Sequence, residues 1–251
     1  MAKPKIAIFD FACCEGCQLQ IVNLEEELLD LLGAADVVEW REALSEKSDE
    51  YDIAIIEGSI TRMEDEERLK RIRGSAKVLI ALGACATIGG VNKLKNNFED
   101  LDEVKRYVYG KAASKPHLHT GPTKAVDEVV QVDCSVQGCP IDRKEFTSIV
   151  RSLLMGKTPE IPEYPVCVEC KAKGNPCLWD YDQVCLGPII RAGCGARCPS
   201  SGFRCFGCRG YIDNPNVEAA KDVINRYGLN VDDLKTKMVL FGSRQEPTIY
   251  E

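Results

Sequence analysis

The sequence predicts an α/β protein: a doubly wound parallel sheet followed by an irregular, cysteine-rich C-terminal region. Three observations carry that expectation. Short, fully apolar runs alternate with helical patterning over residues 5–155. Cysteines fall directly after several of those runs. Eight of the fourteen cysteines then crowd into residues 165–209, a stretch rich in Gly and Pro and poor in apolar runs.

Residues 5–10 read as the first buried strand. Residues 18–32 carry Leu19, Val22, Leu28, Leu29 and Leu32 at helical spacing, with Gly33 as the stop. Residues 36–40 and 51–57 read as the second and third strands, and 64–73 as a charged helix ended by Gly74. A fourth strand is expected over 76–82, a fifth over 128–132, and a closing helix over 142–155 with Asp142 or a neighbour as its N-cap. Strands apolar on both faces, alternating with helices, imply a parallel sheet covered on both sides. The natural assignment is a flavodoxin-like doubly wound domain. Residues 93–124 break the rhythm and read as one long connection, and such loops are often functional. Pro-rich residues 157–162 read as a linker, so residues 1–156 and 157–251 are expected as two domains. Helical patterning returns over 214–242, with Val217, Ala220, Val223, Ile224 and Tyr227 on one face.

Composition narrows the function. Of 251 residues, 45% are hydrophobic and 28% charged, the balance of a globular chain. A net charge of −7 argues against nucleic acid or an anionic membrane as the main partner. No apolar run is long enough to span a bilayer. Two histidines make a histidine-based site a poor first choice. The N-terminus shows neither a signal-peptide pattern nor a twin-arginine pair, so a cytoplasmic location is expected. In a reducing compartment abundant thiols point to metal binding or redox work. No Gly-x-Gly-x-x-Gly follows the first strand, no Walker loop appears, and no Ser-His-Asp or Cys-His set stands out. Catalysis by this chain alone is not expected.

Three cysteine sites follow predicted strands: Cys13-Cys14-Glu15-Gly16-Cys17, Gly83-Ala84-Cys85, and Cys134 to Gly138-Cys139-Pro140. In a doubly wound sheet all strand carboxyl ends share one edge, where ligands bind, so these thiols can converge. A Cys-x-x-Cys pair plus two single cysteines supplies the four thiolates of a [4Fe–4S] cube. Gly16, Gly83 and Gly138 would let backbone approach it closely. The competing reading, a thioredoxin-type dithiol, leaves Cys85 and Cys139 unexplained. The later cysteines split by spacing into Cys167, Cys170, Cys177, Cys185 and Cys194, Cys198, Cys205, Cys208. Structural zinc competes here, although zinc knuckles usually use two matched pairs and these interiors are irregular.

Taken together, Cys14-Glu15-Gly16-Cys17, Ile56-Glu57-Gly58-Ser59, Gly83-Ala84-Cys85-Ala86-Thr87-Ile88-Gly89-Gly90, Gly138-Cys139-Pro140 and the eight later cysteines resemble the small, electron-transferring subunit of [NiFe] hydrogenases. The resemblance covers residues 5 to about 210 and is nearest to cytoplasmic members of the sulfhydrogenase delta and bidirectional NAD(P)-linked type. It implies a proximal [4Fe–4S] cluster on Cys14, Cys17, Cys85 and Cys139. It further implies a distal cluster on Cys167, Cys170, Cys177 and Cys185, and a medial one on Cys194, Cys198, Cys205 and Cys208. The C-terminal region would then be an iron–sulfur domain stabilised by its clusters. Many family members have His where this chain has Cys167, and Pro where it has Cys198; the latter difference implies a full medial cube. The related 20 kDa subunit of respiratory complex I has adjacent cysteines, which Cys13-Cys14 also matches. It lacks the later quartets, which favours Cys14 and Cys17. Cys13 and Cys134 are left over, readable as buried side chains.

The implied function is an electron relay. The partners would be a large subunit holding the Ni–Fe site and a diaphorase-type or other iron–sulfur or flavin acceptor subunit. Segments 11–17, 57–61 and 85–92 are expected against the large subunit. Glu57 reads as an interface or proton-route residue, set against a solvated or capping carboxylate. The other functional readings are a complex I-like module, a free electron carrier and a zinc-stabilised binding scaffold.

Overall fold

In the computed structural model, residues 3–215, 222, 223, 225–228 and 239–241 are described. Five strands, β1 (Lys5–Asp10), β2 (Asp36–Trp40), β3 (Ile53–Glu57), β4 (Val78–Leu82) and β5 (Cys134–Val136), form one sheet. Their order is β2-β1-β3-β4-β5, and every neighbouring pair is parallel. This is the strand order of flavodoxin-like doubly wound sheets, and it brings all five carboxyl ends to one edge.

Alternation along the strands divides the core into two layers. Ile6, Ile8, Ile53, Ile55, Ile80 and Leu82 pack on one face against Ile21, Leu31, Phe146 and Ile149. These come from α1 (Gly16–Val22), α2 (Glu26–Ala34) and α6 (Arg143–Leu154). Ala7, Phe9, Ala54, Ile56, Leu79 and Ala81 pack on the other face against Leu69 and Ile72 of α3 (Met63–Ser75) and Ala86 of α4 (Gly83–Ile88). Each fully buried Ile, Leu or Phe is worth about 1.5–3 kcal/mol relative to exposure, so the sheet holds itself together with ordinary side chains. As expected, Asp142 caps α6, its carboxylate accepting from the N–H groups of Lys144 (3.0 Å) and Glu145 (3.2 Å).

Four expectations need correction. The helix expected over 18–32 is two helices. The chain turns at Asn23–Glu25, where Glu25 has φ 58°, and this tucks Leu24 into the core. Leu19, Val22, Leu29 and Leu32, the expected inner face, are therefore exposed, and Gly33 lies inside α2 instead of ending it. Gly74 likewise lies inside α3. The fifth strand begins at Cys134, not 128. Asp133 accepts the Leu79 N–H (2.7 Å) with its side chain, and ladder pairing starts one residue later, at Ile80 with Cys134. Val129, Val130 and Val132 pack beneath the sheet instead. The expected connection 93–124 contains α5 (Leu101–Tyr109), capped by the Asp100 carboxylate, with short 3-10 turns on either side.

C-terminal to α6 come α7 (Val166–Ala172), the single turn α8 (Arg197–Ser200) and irregular chain around a separate cluster of buried residues. That cluster joins Val166, Leu178, Trp179, Leu186, Ile189, Ile190 and Tyr211 to Cys170, Cys185 and Cys205. Most of the helical pattern expected over 214–242 lies outside the described residues. Of its named face, Val223 packs on this cluster, and the Tyr227 ring lies 5.8 Å from that of Trp179. Among the described residues no helix is long and apolar enough to cross a membrane.

Candidate functional site

The strand-carboxyl edge gathers the first group of thiols. β1 leads into Cys13, Cys14 and Cys17, β4 into Cys85, and β5 into Cys139. The Ala84 N–H donates to the Gly138 carbonyl (2.7 Å), which ties the Cys85 turn to the Cys139 loop. Gly83 has φ 80°, and a Cβ there would overlap the Cys17 sulfur, so only glycine lets β4 turn this close to that thiol. Burial pushes the Cys85 thiol up to about 12, and the neighbouring Cys139 and Cys14 push the same way. Burial, then Cys14 and Glu57, raise Cys139. Burial, then Glu57, raise Cys17, with Cys139 adding to it. Cys14, Cys17, Cys85 and Cys139 thus sit within electrostatic reach of one another. Cys13 also feels Cys85 and is pushed up to about 12, chiefly by burial. Cys134 lies in the core beneath the sheet edge.

Glu57, at the end of β3, is 2% exposed. Its two oxygens accept the N–H groups of Cys17 (3.0 Å) and Gln18 (3.1 Å), at the start of α1. Burial pushes its carboxyl above the usual range, and those donors oppose the shift. It is a buried capping carboxylate, not a solvated one. Gln18, which sequence reasoning passed over, is also buried and accepts from the Trp40 indole (2.8 Å).

The segments expected to face a partner are bonded to one another, although residues 57–60 and 86–90 are buried within this chain. Phe11 N–H donates to the Glu57 carbonyl (2.8 Å), Ala12 bridges to Ser59, and the Asn92 amide donates to the Ala12 carbonyl (2.7 Å) and the Ser59 hydroxyl (3.0 Å). Cys14 and Cys139 are exposed there.

The later thiols form two further groups. A Cβ at Gly187 would lie 3.2 Å from the Cys167 sulfur and 3.5 Å from that of Cys185. Burial pushes Cys167 up to about 12, followed by Cys185, Cys170 and Cys177. Cys205 is raised by burial and by Cys185, Cys208 and Cys194, and Cys198 by burial and Cys194. Glu169 holds the Cys194 loop, accepting from Gly193 (2.9 Å) and Ala196 (3.0 Å) N–H groups. This last group adjoins both others. The Cys208 thiol lies within electrostatic reach of Cys139 as well as Cys194, and the Cys205 N–H donates to the Cys185 sulfur (3.1 Å).

The donor set fits iron–sulfur clusters. Crowded, buried thiols resist ionising alone, and bound iron supplies the positive charge that makes thiolates favourable. Backbone N–H groups already point at sulfurs, as cluster sites require.

Fold and thiolates together define an iron–sulfur electron-transfer subunit. Residues 14–153 match the family described as NADH ubiquinone oxidoreductase, 20 Kd subunit. The chain is 37% identical to sulfhydrogenase 2 subunit delta of Pyrococcus furiosus, over 88% of this chain and 92% of that protein. A chain of an NAD+-reducing [NiFe]-hydrogenase in the H2-reduced state superposes with a TM-score of 0.60 at 27% identity, over 64% of this chain and 96% of that one. An actinobacterial-type NiFe-hydrogenase chain from Ralstonia eutropha H16 shares the fold over 99% of this chain and 93% of its own, with a TM-score of 0.60 at 17% identity. The chain belongs to the family of [NiFe] hydrogenase small subunits, of the sulfhydrogenase delta and HoxS delta kind. It is thus a subunit of a hydrogenase complex that also contains a large subunit.

Proposed function

We propose that this chain relays electrons through three [4Fe–4S] clusters between the large subunit and a diaphorase-type or other iron–sulfur or flavin acceptor subunit. Cys14, Cys17, Cys85 and Cys139 would hold the proximal cluster, Cys194, Cys198, Cys205 and Cys208 the medial one, and Cys167, Cys170, Cys177 and Cys185 the distal one. Bound clusters supply one-electron carriers whose potentials respond to hydrogen bonding, charge and exposure. The single observation that carries the reading is the adjacency of the groups. On one side Cys208 lies within electrostatic reach of Cys139, and on the other the Cys205 N–H bonds to the Cys185 sulfur, an order that sequence position alone does not impose.

The protein's own residues have three tasks in this account. The cysteines bind. Glu57 orients the start of α1, and with it Cys17, beneath the surface that carries Cys14 and Cys139. The apolar cluster around Trp179 and Leu186 keeps water from the later quartets. The large subunit docks on the face that exposes Cys14 and Cys139, next to segments 11–17, 57–61 and 85–92. Residues 1–156 and 157–251 act as two units, the second stabilised by its clusters.

Cys85→Ser in the anaerobically isolated complex tests the relay. H2-dependent reduction of a dye that draws on the distal end should be lost while the partner's nickel content stays unchanged. Undiminished dye reduction in a variant lacking the proximal signal contradicts the assignment.

A further inference from the structure

We propose that the buried Arg209–Glu145 pair locks the medial quartet to the proximal one and that each of its two charges acts on the medial potential. This rests on the reading that Cys194, Cys198, Cys205 and Cys208 hold a cluster. Arg209 follows Cys208 directly and is 1% exposed, with the largest side chain among the fully buried residues. A buried guanidinium must have its donors satisfied, and here each nitrogen is engaged. Nε donates to the Ala192 (2.8 Å) and Arg191 (3.2 Å) carbonyls. Nη1 donates to the Gln137 carbonyl (2.6 Å) and to Oε2 of Glu145 (2.8 Å), and Nη2 to Oε1 of Glu145 (2.5 Å).

Those partners are not scattered. Gln137 stands two residues before Cys139, and Ala192 two before Cys194. One side chain therefore grips the backbone entering a proximal thiol and the backbone entering a medial thiol. Its own neighbour Cys208 meanwhile lies within electrostatic reach of Cys139. Gly193, φ 114°, lies against the guanidinium, and a Cβ there would overlap Nη2.

The pair also places charge beside the medial thiols. Arg209 acts electrostatically on Cys194 and Cys208, while Glu145 sits on α6 beside Asp142 and Glu169. Of those two carboxylates, Asp142 pairs with Arg197 (3.0 Å), and Glu169 accepts two backbone N–H groups. Both ends of the pair lie against Gly193, the residue before Cys194: a Cβ there would overlap Oε1 of Glu145 as well as the guanidinium. Reduction adds negative charge to a cluster, so a buried cation nearby raises its potential and an unbalanced anion lowers it.

The test is a redox titration of the anaerobically purified complex, followed by low-temperature paramagnetic resonance. The medial signal is identified as the one altered in Cys198→Ser. Glu145→Gln keeps the side-chain shape and leaves the cation unbalanced, so the medial midpoint potential moves up. Arg209→Gln moves it down, and the double variant returns it toward the parent value. A purely structural pair would shift both single variants in one direction or neither, and either result overturns the proposal. If Arg209→Gln fails to assemble, Glu145→Gln decides alone: an unchanged or lowered medial potential refutes the charge bias. Absence of iron–sulfur signals from the parent complex would instead defeat the underlying cluster reading, and its iron content reports that separately.

Discussion

At the scale of single residues, sequence offered the thiols as candidates but gave no sign of the groups that support them. Twelve cysteines could be sorted into quartets because cluster chemistry restricts spacing and strand ends restrict location. Glu57 was singled out from its position at a strand end, but its capping role needed coordinates, since Cys17 and Gln18 lie about forty residues away in sequence. Arg209, Glu145 and Glu169 gave no sequence signal at all, because their partners are equally remote. Two outcomes follow from contacts at this scale. Gly83→Ala forces a Cβ onto the Cys17 sulfur at a backbone angle that side chains rarely adopt. It should remove about four of about twelve iron atoms per chain and leave the other two signals intact; full iron content in this variant would contradict the placement of Cys17. Glu57→Ala removes the acceptor for two N–H groups at the start of α1 and should cost about 1–2 kcal/mol, read as a lower unfolding temperature of the complex. An unchanged temperature would mean that the cap is dispensable.

At the scale of elements, periodicity found every strand but misplaced one and fused two helices. Apolar runs register burial, not hydrogen bonding. Val129, Val130 and Val132 look like a strand because they are apolar and half-buried against the sheet, yet the Asp133 side chain takes the first ladder position. Leu24 breaks the helical stripe, and the chain turns there to bury it. The 93–124 excursion contains α5, whose Leu101, Val104 and Val108 recur at helical spacing, so this helix was legible and reading the stretch as one long connection missed it. Its far end is fastened by His119, whose Nδ1 lies 2.8 Å from the Pro116 carbonyl oxygen and whose Nε2 lies 2.8 and 3.0 Å from the Glu64 carboxylate oxygens. Both ring nitrogens face acceptors, so the doubly protonated ring fits. Accordingly the Glu64 hydrogen bond, and then that of Pro116, raise the His119 pKa above 6.5. With the folded value raised, the fastening is at full strength below 6.5 and is lost as pH rises through the raised value. Amide exchange across residues 116–121, corrected for intrinsic rates, should quicken over that window. Glu64→Gln should abolish the dependence, and a flat profile in the parent would contradict the fastening.

At the scale of the whole molecule, the sheet and the C-terminal region differ in what holds them. The sheet has two apolar layers of its own. The later region gathers a smaller cluster in which cysteines stand among the core residues, as its few apolar runs implied. Iron chelation should therefore open residues 165–213 to proteolysis while residues 5–155 resist, because metal-binding free energy is folding free energy in such a segment. Equal resistance of both parts would refute that dependence. What sequence could not reveal was that the last cysteines of the chain lie near both other groups, Cys205 bonding to the Cys185 sulfur and Cys208 lying within electrostatic reach of Cys139.

The most direct test of the three-cluster account is the iron, zinc and acid-labile sulfide content of the anaerobically prepared chain. Three four-iron cubes give about twelve iron and about twelve sulfide per chain. Bound zinc without sulfide, or iron sufficient for a single cube, would contradict it.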